Sequence, residues 1–68
     1  MTFNPTKRVL RLQAVINKTG LSRSSIYLYI KKGAFPKPIR LGTRSVGWIE
    51  NDINEWIDSR TNLNRSSL

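Results

Sequence analysis

The side chains best suited to binding an anion or the edge of a base are concentrated within residues 23–31 of this 68-residue chain. They are Arg23, Ser24, Ser25, Tyr27 and Lys31. An arginine guanidinium can hold two acceptor atoms of one guanine, and hydroxyl and ammonium groups donate to phosphate oxygens. Each residue also has a plainer interpretation, such as a solvated surface charge for Arg23, local capping for Ser25, or a helix-end cation for Lys31. Their arrangement on one element therefore decides what they can do together.

The spacing of the residues around them predicts a helix over 22–32. Its apolar residues recur at helical spacing and share one face: Ile26, Tyr29 and Ile30. The opposite face carries the remaining side chains: Arg23, Ser24, Tyr27, Leu28 and Lys31. Ser22 can accept from the free backbone N–H groups at the start, and Gly33 is typical of a left-handed residue that ends a helix. An apolar face that packs on the core and a cationic face that meets DNA are typical of the second helix of a helix-turn-helix.

The charge is distributed unevenly along the chain. The net charge is +8, residues 1–49 hold ten of the twelve basic residues and no acid, and all four acidic residues lie within 50–58. Such a surface attracts a polyanion and makes binding depend on salt, with solubility alone as the alternative. The acidic stretch is either a solvated face or a contact for a protein partner.

Several classes of protein are excluded by composition. The chain has neither cysteine nor histidine, so disulfides and the usual zinc clusters are ruled out, and we expect no cofactor. No apolar run approaches the roughly 20 residues of a membrane span. Carboxylates confined to one segment of so small a domain do not indicate an enzyme. We expect a cytoplasmic protein without membrane contact, associated with the nucleoid when it is bound to DNA.

The other elements follow from similar patterns. Residues 1–7 are predicted to form a flexible N-terminal arm, and alternation over 8–12 is compatible with a short edge strand. The first helix is predicted over 11–18, ending at a turn that contains Gly20, with Leu21 plugging the core between the two helices. A third helix with the apolar stripe Ile53, Trp56 and Ile57 is predicted to stop near residues 60–61, leaving 61–68 as a frayed tail.

A β-hairpin is predicted between the second and third helices. Alternating segments at 39–41 and 46–48 flank a turn at 42–45. We expect Ile39 and Leu41 on the inner face with Val46 and Trp48, and Arg40 pointing away. The resulting fold class is mainly α with a small β-hairpin, a winged helix-turn-helix domain over 8–60.

The hairpin and the segment before it contribute four more candidate contacts with nucleic acid. Arg44 lies at the predicted tip, where an inserted arginine suits a narrow minor groove. Lys37 and Arg40 are candidate phosphate contacts, and Thr43 can donate to a phosphate, although each is also an ordinary exposed residue for a turn. Trp48 and Trp56 lie on apolar faces, which favours core packing over base stacking.

Several blocks of this sequence resemble those of the AlpA family of phage-type regulators. The resemblance covers roughly residues 8–60 and is carried by Arg11-Leu12, Gly20-Leu21-Ser22-Arg23-Ser24-Ser25-Ile26-Tyr27, Phe35-Pro36-Lys37-Pro38-Ile39-Arg40-Leu41-Gly42, Arg44, Val46, Trp48 and Trp56-Ile57. It implies a MerR-like winged helix that binds DNA near prophage genes, as an activator of integrase genes or as an excisionase-like architectural factor. Leu28 stands where that family commonly has a basic residue, and Tyr29 where it commonly has an aliphatic one.

Together these observations predict a sequence-specific, double-stranded DNA-binding transcriptional regulator of a prophage or mobile element. Helix 22–32 would enter the major groove, and the wing at 39–48 would contact the adjacent minor groove. An excisionase that bends DNA and directs a tyrosine integrase is an alternative, and a small basic RNA-binding or protein-interaction module is another. RNA polymerase or a tyrosine recombinase would be the protein partner. The sequence leaves the oligomeric state open, including cooperative binding to repeated sites.

Overall fold

Three helices and a small sheet make up the structure, a computed structural model that describes the backbone of residues 8–66 and the side chains of residues 8–63. The elements are β1 (Val9–Leu10), α1 (Leu12–Thr19), α2 (Arg23–Lys31), β2 (Ile39–Arg40), β3 (Val46–Ile49) and α3 (Glu50–Ser66). This order confirms the predicted fold class, mainly helical with the hairpin of a winged helix-turn-helix. The predicted arm at 1–7 lies outside the described residues. Within the described backbone, no helix is both long enough and apolar enough to cross a membrane.

The sheet has three antiparallel strands, with β3 between β1 and β2. Leu10 pairs with Trp48 on one side of β3, and Arg40 pairs with Val46 on the other. The edge strand anticipated before the first helix is therefore present as β1. It attaches the start of the domain to the wing, and the backbone N–H of Glu50 extends this pairing by donating to the Arg8 carbonyl at 2.7 Å.

The predicted faces of the hairpin are wrong. Residues paired directly across antiparallel strands share a face, so Arg40 lies on the same side as Val46, and hence as Trp48 two residues further on. Ile39 and Leu41 lie on the opposite side and are 39% and 45% exposed. The loop sets this register, and a shift of one residue exchanges the two faces of a strand.

Backbone geometry at its two ends defines α2. The Ser22 hydroxyl oxygen accepts from the Ser25 backbone N–H at 3.1 Å, which confirms the predicted N-cap. At the other end, Gly33 has φ +74°, its N–H donates to the Ile30 carbonyl, and the Ala34 N–H donates to the Tyr29 carbonyl. These two bonds form a Schellman motif, which satisfies carbonyl groups that the last turn would otherwise leave free.

The core is shared by all three helices and the sheet. Its fully buried side chains come from each layer: Val15 of α1, Ile26 of α2, Trp48 of β3 and Ile53 of α3. Leu21, in the turn between the first two helices, is half-buried and packs against this cluster, as predicted. Ile26 therefore holds α2 by its apolar face and leaves the other face outward.

The third helix is longer than predicted. It was expected to stop near residues 60–61, but α3 runs from Glu50 to Ser66. Residues 61–66 contain neither glycine nor proline, so nothing in that segment ends the helix, and a polar composition alone does not. Only the final two residues of the predicted tail lie outside the described backbone.

Candidate nucleic-acid interface

The outward face of α2 carries cationic and hydroxyl side chains. Ile26 is fully buried, whereas Arg23, Ser24, Tyr27 and Lys31 are exposed. Residues three and four apart lie side by side on a helix, so Ser24, Tyr27 and Lys31 form one continuous strip. The structure thus brings four of the five predicted α2 residues together on an accessible surface, suited to donating hydrogen bonds to an anionic partner.

Ser25 differs from the other predicted contacts on α2. Its side chain is half-buried, and its hydroxyl oxygen accepts from the Ser22 hydroxyl at 3.0 Å. Its backbone N–H is the donor of the N-cap bond. Ser25 therefore takes part in forming the helix start, and a contact with nucleic acid remains a prediction for this residue.

Two tryptophans hold the segment that connects α2 to the wing. The Trp48 indole Nε1–H donates to the Pro36 carbonyl at 3.0 Å, and the Trp56 indole Nε1–H donates to the Ala34 carbonyl at 2.8 Å. Phe35, between Ala34 and Pro36 in the chain, is buried, and its ring lies edge-on to the Trp56 ring at a centroid distance of 4.9 Å. Lys37 follows this anchored segment and is exposed. The core interpretation of both tryptophans is confirmed, because Trp48 is fully buried and Trp56 packs against the core.

The wing tip presents its predicted residues to solvent. Thr43 and Arg44 are exposed in the loop between β2 and β3, where the Ser45 carbonyl accepts from the Leu41 N–H at 2.7 Å and closes the turn. Arg40 is exposed on the edge strand β2. These side chains lie on the wing, whereas the strip lies on α2. The two elements are joined through the core, which contains Trp48 of β3 and Ile26 of α2.

Arg60 of α3 lies against Tyr29 on the apolar face of α2, not beside the outward strip. Its guanidinium carbon lies 4.8 Å from the Trp56 ring centroid and 5.7 Å from that of Tyr29. A guanidinium stacked on aromatic rings at such distances stabilises the packing through cation–π attraction. This cation therefore braces α3 against the apolar back of α2, a role that its position in the polar part of the sequence did not indicate.

The acidic residues lie along α3. Glu50 forms an ion pair with Lys18 of α1 at 3.8 Å, and Glu55 accepts from the Asn51 amide at 3.3 Å. Asp52 and Asp58 are exposed. Among the side chains that the structure describes, no group of three acidic residues is placed to hold a metal ion.

Sequence reasoning assigned no role to Leu28, which lies on the outward face of α2. It is 48% exposed, surrounded by the polar strip just described. Its position opposite Ile26 follows from helical periodicity alone, so its exposure was predictable from the sequence. Leu28 thus places an aliphatic side chain among donors of hydrogen bonds.

Comparison with known proteins gives a consistent result over nearly the whole domain. The family described as "Prophage CP4-57 regulatory protein (AlpA)" matches residues 8–61. A relative from Escherichia coli (strain K12), "DNA-binding transcriptional activator AlpA", is 47% identical over an alignment 62 residues long, and the match covers 82% of this chain and 89% of that protein. A protein of Enterobacteria phage P4, "Uncharacterized protein ORF88", is 41% identical over 54 residues, which cover 79% of this chain and 61% of that protein.

Proposed function

We propose that this chain, which belongs to the AlpA family of prophage regulatory proteins, binds double-stranded DNA in a sequence-specific manner and activates transcription. The observation that carries the proposal is the outward face of α2. Arg23, Ser24, Tyr27 and Lys31 are exposed there on a helix anchored from behind by a fully buried isoleucine. The net charge of +8 supplies the general attraction to a polyanion.

In the proposed complex, α2 enters the major groove with its N-terminal end leading. Arg23 would bind guanine O6 and N7, while Ser24, Ser25 and Tyr27 would donate to base edges or phosphates. Lys31 would meet the sugar–phosphate backbone at the far end of the helix. These roles divide the proposed contacts on α2 into residues that recognise base sequence and residues that bind any duplex.

The wing would contact the adjacent minor groove. Arg44 at its tip would enter the groove, where narrow A·T-rich segments have a deepened negative potential. Thr43 and Arg40 would bind phosphates beside it, and Lys37 would bind the backbone between the two grooves. Trp48 and Trp56 support this arrangement, because their bonds to Pro36 and Ala34 hold the connecting segment.

An activator acts on RNA polymerase, so that enzyme is the protein partner implied by the proposal, and the cytoplasm is the compartment in which it would act. The exposed Asp52 and Asp58 of α3 offer it a surface of opposite charge to the DNA-binding side. Transcription in vitro from a promoter that carries the selected site, with purified polymerase, tests this step. Addition of the protein should raise the transcript level, and the Arg23→Ala variant should not.

Selection of bound duplexes from a random DNA pool, at physiological salt with excess competitor, tests the proposal itself. An enriched motif is the expected result, and preference for that duplex over the same sequence in RNA excludes the RNA-binding alternative. Closely repeated motifs within one bound fragment would favour the excisionase over the activator. Binding without enrichment that disappears as salt rises would contradict sequence-specific recognition.

A further inference from the structure

Leu28 lies on the outward face of α2, where the fold covers only about half of its aliphatic side chain. It is 48% exposed, whereas Ile26 on the opposite face is fully buried. Helical geometry puts Leu28 one turn after Ser24 and one turn before Lys31, in the middle of the outward strip. Single exposed leucines are common on protein surfaces. This one lies between Ser24 and Lys31, two of the proposed contacts with DNA.

The edges of the bases give such a side chain one favourable partner. In the major groove, base pairs present acceptors, amino donors and the C5-methyl group of thymine. Leucine neither donates nor accepts hydrogen bonds, so it would remove water from a polar base edge without replacing the lost bonds. Against a methyl group it buries apolar surface from both partners. The same side chain thus favours thymine and disfavours the polar edges of the other bases.

We propose that Leu28 is a specificity-determining residue that packs on the C5-methyl group of one thymine in the bound site. The proposal rests on the DNA-binding function above and adds to it the identity of one base. Ser24 and Lys31 on either side would hold the helix at the depth this contact requires. Leu28 then distinguishes thymine from the other three bases at that position through apolar contact, independently of the hydrogen bonds made by Arg23.

Replacement of each thymine of the selected duplex by uracil, one position at a time, tests the inference. Uracil removes only the methyl group and keeps Watson–Crick pairing. At one position the original chain should lose about fourfold in affinity, the value expected for one buried methyl. Leu28→Ala should bind the thymine duplex more weakly and show no further loss with uracil. Leu28→Lys should bind random DNA more tightly at low salt and also lose the methyl effect.

Leu63→Ala is the matched control, because Leu63 is also an exposed leucine, at 63%, but lies on α3 and not on the proposed recognition helix. It should retain the full thymine-to-uracil difference. Circular dichroism should give Leu28→Ala a helix content and thermal midpoint close to those of the original chain, since a half-exposed leucine contributes little to the core. A methyl effect lost only in the Leu28 variants supports the inference.

Other results would overturn it. If a motif is enriched but uracil is tolerated at every position, the Leu28 contact is wrong while the proposed function stands. The same holds if Leu28→Ala keeps full sensitivity to the methyl group. If Leu28→Ala leaves DNA affinity unchanged but abolishes activated transcription, Leu28 contacts a protein instead. Failure to enrich any motif with the original chain removes both the proposed function and this inference.

Discussion

Trp56 and Ala34 join the third helix to the end of the second, because the indole Nε1–H donates to the Ala34 carbonyl at 2.8 Å. The backbone N–H of Ala34 donates in turn to the Tyr29 carbonyl at 2.8 Å. Both polar backbone groups of Ala34 are thus bonded where the chain leaves α2. Two residues later, Pro36 accepts from Trp48 in the same way. The path from the proposed recognition helix to the wing is therefore set by two indole N–H groups.

Trp48→Phe is expected to lower the free energy of unfolding by about 2–3 kcal/mol. It removes the bond to Pro36 and leaves space at a fully buried position. Trp56→Phe removes an equivalent bond from a half-buried ring and should cost about 1 kcal/mol. Urea denaturation followed by circular dichroism measures both changes. An equal or smaller loss for Trp48→Phe would contradict the proposed difference in burial.

Gly47→Ala is expected to destabilise the sheet by about 1–3 kcal/mol. A Cβ at this position would lie 2.5 Å from Val9 Cγ1 and 3.0 Å from both the Leu10 carbonyl oxygen and Leu41 Cδ1. One of these neighbours is backbone and cannot rotate away. Gly42→Ala is the matched control, since its nearest contact would be Ser45 Cβ at 4.0 Å. Thermal unfolding of the two variants should separate them clearly, and similar midpoints would disprove the steric argument.

Ser22→Ala is expected to cost about 1 kcal/mol, because it removes the side-chain acceptor at the start of α2. Ser24→Ala, two residues on and exposed, should leave the free energy of unfolding within about 0.5 kcal/mol. The loss of affinity for the selected duplex should have the reverse order. Ser24→Ala should lower that affinity more than Ser22→Ala does, because Ser24 is a proposed DNA contact. Chemical denaturation and a binding titration on both variants check the two statements.

Arg23→Ala and Lys37→Ala should separate base reading from backbone binding. Arg23→Ala should weaken binding to the selected site by about 1–3 kcal/mol and change binding to random duplex little. Lys37→Ala should weaken both equally and reduce the slope of log K against log salt by about one. Titrations at several salt concentrations measure these effects. Equal losses on both duplexes for Arg23→Ala would count against a contact with a base.

Arg44→Ala should reduce the preference for A·T-rich sequence beside the main contact. The narrow minor groove of such segments attracts an inserted arginine by its electrostatic potential. The original chain should bind duplexes with A·T flanks more tightly than those with G·C flanks, and the variant should bind both alike. Thr43→Ala is the control and should keep the preference. A preference that survives Arg44→Ala would show that the wing tip does not read the groove.

The second helix, α2, shows most clearly what local sequence patterns can predict. Ser22 and Gly33 form its ends through interactions within a few residues, and the burial of Ile26 follows from helical period. The order of the elements and the candidate contacts with DNA follow from the same local patterns. The family resemblance follows from the matching blocks of sequence. The exposure of Arg23, Ser24 and Lys31 agrees with the predicted outward face of the helix. Their contacts with DNA remain predictions.

The sequence by itself determined the order of the helices and strands and most of their ends, because capping residues, glycines and apolar periods act over a few positions. The end of α3, which runs past the predicted stop to Ser66, is the exception. Only the tertiary structure decided the register of Arg40 against Val46, which puts Ile39 and Leu41 on the outer face of the sheet. It also decided the indole bonds to Ala34 and Pro36 and the stacking of Arg60 on Trp56. These features join residues far apart in the chain, and their geometry depends on how the helices and the sheet pack together.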